Sequence, residues 1–256
     1  MKRLFVLSLL LMFSLAIVTV YALTGREIME KSDALPEPKT ALSKATMLIY
    51  KGGDTLQRTI EMMAMKVGQN DKVLAVVKEE PGGDITKVLT HTNKTGEDLQ
   101  WVKMTNGKVK RISSGDRSGA FVNSHLFYED LRSRNIDDYE YTLLGEETAE
   151  GYPCYKVEAK PKPGKSIYDK AIFFIIKSGE FQYFAIRIDI FYEGYLYKRL
   201  INYNLKKVDG IITPYKAVMY RLDKNGQNLG RTEVTITNLQ YNNPAINEGM
   251  FNMNKL

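Results

Sequence analysis

From Thr46 to Tyr241 the chain is a succession of apolar runs, several alternating with polar residues, set apart by short turn signals. That spacing constrains the fold more than any other feature. Parallel neighbours need crossovers of about a dozen residues or more. Breaks such as Gly52-Gly53-Asp54, Gly68-Gln69-Asn70-Asp71, Pro81-Gly82-Gly83, Thr105-Asn106-Gly107 and Asp209-Gly210 only turn the chain back on itself. The pattern predicts antiparallel strands over 46–51, 55–67, 72–78, 85–90, 99–104 and 108–112. A second series covers 139–144, 154–159, 171–177, 181–192, 196–208, 211–222 and 231–241.

Within these strands the faces differ. Leu56, Arg58, Ile60, Met62 and Ala64 alternate with Gln57, Thr59, Glu61, Met63 and Met65, and Phe184, Ile186, Ile188 and Ile190 alternate with Tyr183, Ala185, Arg187 and Asp189. Each run reads as one apolar and one largely wet face. Helices are too few to cover a sheet of this size. It must roll up on itself as a partial barrel or leave an apolar hollow. The one clear helix starts at Thr24-Gly25-Arg26-Glu27, with capping-box spacing, carries Ile28, Met29 and Leu35, and stops at Pro36 and Pro38.

Ahead of it, Lys2 and Arg3 precede an apolar stretch from Leu4 to Val20 and a small residue at Ala22. This reads as a cleavable secretory signal over 1–22, with an uncleaved anchor as the competing reading. Position 23 is Leu23, not the cysteine a bacterial lipoprotein signal requires, so the expected product is a soluble, unlipidated domain over 23–256. No linker or repeat divides it. The net charge of +6 loses Lys2 and Arg3 on cleavage, and a mild surplus on an exported chain argues against nucleic acid as a partner. A single cysteine, Cys154, and two histidines, His91 and His125, argue against a Cys/His metal site, and no cofactor is expected.

Several motifs fail. Gly164-Lys165-Ser166 lacks the first glycine of a phosphate loop and is followed by a strand, and Asp223-Lys224-Asn225-Gly226 is a hairpin turn with no closing glutamate. His125 reads either as a general base oriented by Asp130 or as a polar residue at a turn edge. Cys154 reads as a small core residue. Met47, Met62, Met63 and Met65 suit an adaptable surface for apolar ligands, or gap-filling in the core. Arg58 interrupts an apolar face, either snorkelling outward or meeting a headgroup at the mouth of a hollow. In 101–131, basic side chains beside aromatics suit an anionic lipid surface, or a solvated hairpin whose loop packs its own rings.

The same segment carries a family pattern: Gln100-Trp101, Val109-Lys110-Arg111-Ile112-Ser113-Ser114, Asp116-Arg117-Ser118, Phe121 and Phe127-Tyr128-Glu129-Asp130-Leu131. With Asp138-Tyr139-Glu140-Tyr141, Leu144-Gly145-Glu146-Glu147, Val208-Asp209-Gly210-Ile211-Ile212-Thr213-Pro214 and the opening at Leu23, it resembles the LolA-like, outer-membrane lipoprotein-sorting protein family. Met104-Thr105 stand where similar proteins carry Leu-Pro, and Asn123-Ser124-His125 replace a glycine-containing run.

The resemblance implies an unclosed antiparallel barrel around an apolar cavity, plugged by short helices. It implies carriage of lipid or lipoprotein acyl chains across the periplasm, and the expectation is a monomeric carrier that performs no chemistry. For some members it implies association with an inner-membrane transporter of the resistance–nodulation–division type. The alternatives are an accessory subunit of such a transporter and a lipid esterase. The residues expected to line the cavity are Met47, Ile60, Met62, Trp101, Phe184, Ile186 and Ile188. Those expected at its rim or in the family motif are Arg58, Arg111, Asp116, Arg117, Phe121, Phe127, Tyr128 and Asp130.

Overall fold

A computed structural model describes residues 23–83 and 85–256, so the expected signal segment lies outside the described residues. Helix α1 (Gly25–Asp33) begins with the expected capping box: the Thr24 hydroxyl accepts from the Glu27 N–H, and the Glu27 carboxylate accepts from the Thr24 N–H at 2.7 Å. The first six strands are β1 (Thr40–Lys51), β2 (Asp54–Val67), β3 (Asn70–Glu79), β4 (Ile85–Thr92), β5 (Leu99–Lys103) and β6 (Val109–Ile112). Four short 3-10 turns between Ser114 and Asp138 follow. The remaining strands are β7 (Tyr139–Ala149), β8 (Tyr152–Pro161), β9 (Lys170–Ile176), β10 (Ala185–Tyr192), β11 (Tyr195–Val208), β12 (Ile211–Leu222) and β13 (Asn228–Tyr241).

All 13 strands join one antiparallel sheet in the order β6-β5-β4-β3-β2-β1-β13-β12-β11-β10-β9-β8-β7. Two meanders are fused along a β1–β13 seam, and β6 and β7 remain as free edges: the barrel is unclosed. Register makes the inner face continuous. Leu143, Val157, Phe173, Ile188, Leu200, Met219, Thr232, Ile49 and Leu56 are successive cross-strand partners from β7 to β2.

What covers that face changes along it. On β1–β6, Phe121, Val122, Leu126, Tyr128 and Leu131 of the β6–β7 connection pack onto Met47, Ile49, Ile60, Val77 and Val102. On β7–β10, Ile28 and Met29 of α1 and Ile136 pack onto Val157, Ala159, Phe173 and Ile175. The outer face of β1–β5 is not wet either. Trp101, Leu89, Leu74, Met63 and Leu42 form a cross-strand apolar row, and Ile246, Phe251 and Leu256 of the C-terminal segment lie over it.

These arrangements correct three cavity expectations. Trp101 belongs to the outer row, edge-on to His91 with ring centroids 5.3 Å apart. Phe184 precedes β10 and packs with Ile186, Phe174 and Ile176 on the outer face. The cause is a β-bulge between Ala185 and Arg187, which inserts Ile186 as an extra residue opposite β9. Ile186 and Ile188 thereby fall on opposite faces although the sequence alternates without a break. The methionines divide too: Met47 and Met62 face inward, whereas Met63 and Met65 sit outside beneath the C-terminal segment.

Candidate functional site

The hollow lies between the inner face of β7–β12 and residues 126–134 of the β6–β7 connection. It has a volume of about 230 Å³, and its apolar wall is Leu126, Ala171, Phe173, Ile188, Ile190, Leu200 and Met219. Ile188 is the one residue of the expected cavity set that lines it. Met47 and Ile60 share the inner face but are covered by the connection, and Met62 stays 38% exposed.

One wall is ionic. Lys198, projecting inward from β11 and fully buried, donates to Asp130 Oδ2 at 2.8 Å and lies 3.2 Å from the centre of the Phe127 ring. The Tyr168 hydroxyl donates to Asp130 Oδ1 at 2.5 Å, and the Phe127 N–H donates to Oδ2 at 2.7 Å. Burial pulls the Lys198 ammonium down to about 8, against the opposing pull of Asp130. Burial and the adjacent Asp130 carboxylate hold the Tyr168 phenol far above its ordinary value. Arg132 donates to both oxygens of Glu129 at 2.9 Å and pairs with Asp98, while Ser166 donates to Glu129 at 2.8 Å. This network ties the β4–β5 turn, the connection and the β8–β9 turn together across the open side of the barrel. Asp130 and Phe127 of the expected rim are therefore fasteners holding the connection against β11.

The other expected rim residues are dispersed. Arg58 lies buried on the inner face, paired with Glu79, and its Nε has no partner. Phe121 and Tyr128 pack edge to face, ring centroids 6.3 Å apart, inside the filled half. Arg111 is exposed and pairs with Glu97 at 3.2 Å. Asp116 is held below its ordinary value first by the Ser113 hydroxyl at 2.9 Å and then by Lys110. Arg117 donates to the Asp98 carbonyl at 3.3 Å, and burial followed by repulsion from Arg132 lowers its guanidinium. His125 does not meet Asp130: its ring Nδ1 and its N–H both bond Thr232 Oγ1, at 2.9 and 3.0 Å, and burial lowers it to about 4. Cys154 is a buried core residue, as expected.

Lys198, Tyr168, Arg134, Leu200 and Met219 escaped the sequence reading. Lys198 had a visible signal, since it shares strand parity with Leu196 and Leu200 and so interrupts an apolar face as Arg58 does. The others become neighbours only through cross-strand register.

A family model whose description reads uncharacterized protein-like matches residues 69–256. No curated protein matches the chain. Among solved structures, the chain is similar to a DUF1329-family protein from Desulfovibrio piger, at 25% identity over 89% of this chain and 95% of that one, with a TM-score of 0.80. It is equally similar to an outer membrane lipoprotein-sorting protein domain from Vibrio parahaemolyticus, at 26% identity over 90% and 97% of the two chains, TM-score 0.81. A LolA superfamily protein from Nitrosomonas europaea shares the fold at 16% identity, over 92% and 100% of the chains, with a TM-score of 0.70. The family model spans most of the chain, so the chain belongs to that uncharacterized protein-like family, and it has the unclosed antiparallel fold that these lipoprotein-sorting and LolA-superfamily structures share.

Proposed function

We propose that this protein is a periplasmic carrier that shelters acyl chains of lipids or lipoproteins in the hollow and moves them toward the outer membrane. The observation that carries the reading is the apolar cavity between β9–β12 and the connection. A dry apolar cavity of about 150 Å³ already accepts benzene. The 230 Å³ here therefore takes part of an acyl chain rather than the whole of one. Each methylene buried contributes about 0.8 kcal/mol, so even a partial chain gains several kcal/mol before association costs. The bulk of a long chain needs the 126–134 segment to shift outward, which makes the Asp130–Lys198 fastening a gate as well as a brace.

Ala171 lines the hollow from a strand. Ala171→Phe would place a ring in that space at little cost to a β-strand. The variant should keep its circular dichroism and its melting temperature, yet lose both the lipid seen by native mass spectrometry of freshly purified protein and the binding of a fluorescent fatty acid. Undiminished acyl binding in that variant, or none in the wild type, would overturn the carrier reading.

A further inference from the structure

Ser133 and Arg134 border two spaces at once: the apolar hollow and a polar cleft of about 480 Å³ that also takes in Lys66, Lys94 and Asn135. Arg134 thus stands at the threshold between them. Its guanidinium lies 4.5 Å from the centre of the Phe173 ring and adjoins the Tyr141 hydroxyl. Arg134 Nε and the Tyr141 hydroxyl are both shielded from solvent, and neither makes a well-formed hydrogen bond to any group, their closest polar neighbours being each other. Buried polar atoms are almost always paired, and two neighbouring orphans, one of them on the residue that borders both spaces, call for a partner.

The cleft also carries Asp33, Glu37 and Asp71, of which Glu37 holds Lys66, while the carboxylates of the connection and its neighbours are committed elsewhere. Glu129 and Asp98 hold Arg132, Asp130 holds Lys198 and Tyr168, and Asp137 holds Arg26 at 2.7 Å. Among the described residues, no carboxylate forms an ion pair with Arg134. A planar guanidinium with free N–H groups beside a phenol matches the two oxygens of a carboxylate or a phosphate. Burial pushes the Tyr141 hydroxyl up to about 12, so it remains a neutral donor.

We propose that Arg134 and Tyr141 clamp the oxyanion of an acidic amphiphile, a carboxylate or phosphate, whose acyl chain enters the hollow and whose remaining headgroup occupies the polar cleft. This deepens the carrier reading and rests on it. The order of parts along the ligand follows the order of the spaces: chain against Phe173 and Leu200, oxyanion at Arg134, polar remainder toward Lys94.

Isothermal titration with dodecanoate, dodecyl phosphate, dodecanol and dodecyltrimethylammonium, each below its micelle threshold, tests it. Acetate and inorganic phosphate serve as free-anion controls. Both dodecyl anions should bind at least tenfold tighter than the alcohol and the cation, about 1.4 kcal/mol. Arg134→Gln should abolish that preference, and Tyr141→Phe, which keeps the ring, should reduce it, while dodecanol binds each variant as it binds the wild type. A dodecanol affinity equal to that of dodecanoate, or a preference that survives both substitutions, overturns the clamp and leaves the carrier standing. Free phosphate or acetate binding as tightly as the dodecyl anions overturns the amphiphile and leaves only an anion site. Failure of all four dodecyl compounds to bind overturns the carrier and the clamp together.

Discussion

The two halves of the barrel present inner faces of similar apolar character and treat them oppositely. Over β1–β6, the connection drives Phe121, Leu126, Tyr128 and Leu131 into the sheet, and Met47 and Ile49 end fully buried. Over β7–β12, the same connection stands off and leaves the hollow, with ionic groups on one side and orphaned polar atoms at its threshold. One half is built like a core and the other like a container. A site in this fold is therefore a property of how the covering segment sits, because the strands alone do not distinguish the halves.

The boundary between the halves is the Asp130–Lys198 pair, and breaking it should have the largest effect. Asp130→Ala strands a fully buried ammonium and the Tyr168 hydroxyl together. Removing one partner of a buried pair costs about 3–5 kcal/mol. Urea unfolding of the variant should show that loss, and the double variant Asp130→Leu/Lys198→Met should recover most of it. A single variant as stable as wild type would mean that the pair does not fasten the connection.

The next contrast sets one side chain against another. Ile49→Ala removes volume from the filled half, where large-to-small core changes cost about 2–5 kcal/mol. Leu200→Ala only enlarges a space that already exists. It should cost less stability than Ile49→Ala while altering acyl affinity, and Ile49→Ala should leave that affinity unchanged. Equal stability losses, with no change in binding for either variant, would erase the distinction between core and container.

That distinction was only partly legible in the sequence. Turn chemistry and alternation locate all the strands, and the short gaps within each meander make their neighbours antiparallel. The capping box of α1 is readable residue by residue. Three things resist such reading. The bulge at Ile186 costs one residue of phase and leaves no mark in composition, so Phe184 and Ile186 seem to share a face with Ile188 when they do not. The outer row of Trp101, Leu74 and Met63 looks like part of a cavity because its cover is a C-terminal tail remote in sequence. The orphaned Arg134 and Tyr141 atoms are defined by missing partners, and only the folded arrangement shows what a side chain fails to meet.

The filled half also contains a pH-sensitive point. His125 sits 8% exposed against Thr232, and burial lowers it to about 4. The unfolded chain takes up a proton near pH 6.5, whereas the folded chain refuses it until near pH 4. Stability conferred by the neutral imidazole is thus present above pH 6.5 and declines as pH falls from 6.5 to 4, by roughly 2–3 kcal/mol at about 1.4 kcal/mol per unit. His91, lowered chiefly by burial, acts in the same direction. His125→Gln should flatten the urea midpoint between pH 7 and 4 relative to wild type. A wild-type midpoint already flat over that range would place the proton on His125 in the native fold.

The smallest effect belongs to the edge of the container. Helix α1 presses Ile28 and Met29, both fully buried, against β7–β9, and it touches nothing in the filled half's cluster. Gly25 makes this approach feasible, since a Cβ there would meet the Leu143 backbone nitrogen at 2.7 Å. The Thr24 hydroxyl satisfies one of the helix's otherwise free N–H groups, and truncating such a cap costs about 1 kcal/mol. Thr24→Ala should therefore speed hydrogen exchange over Gly25–Asp33 and the β7–β8 pair, and leave β1–β4 unchanged. If the halves share one cooperative unit, exchange will rise uniformly across all thirteen strands instead, and a container that opens independently of its core is ruled out.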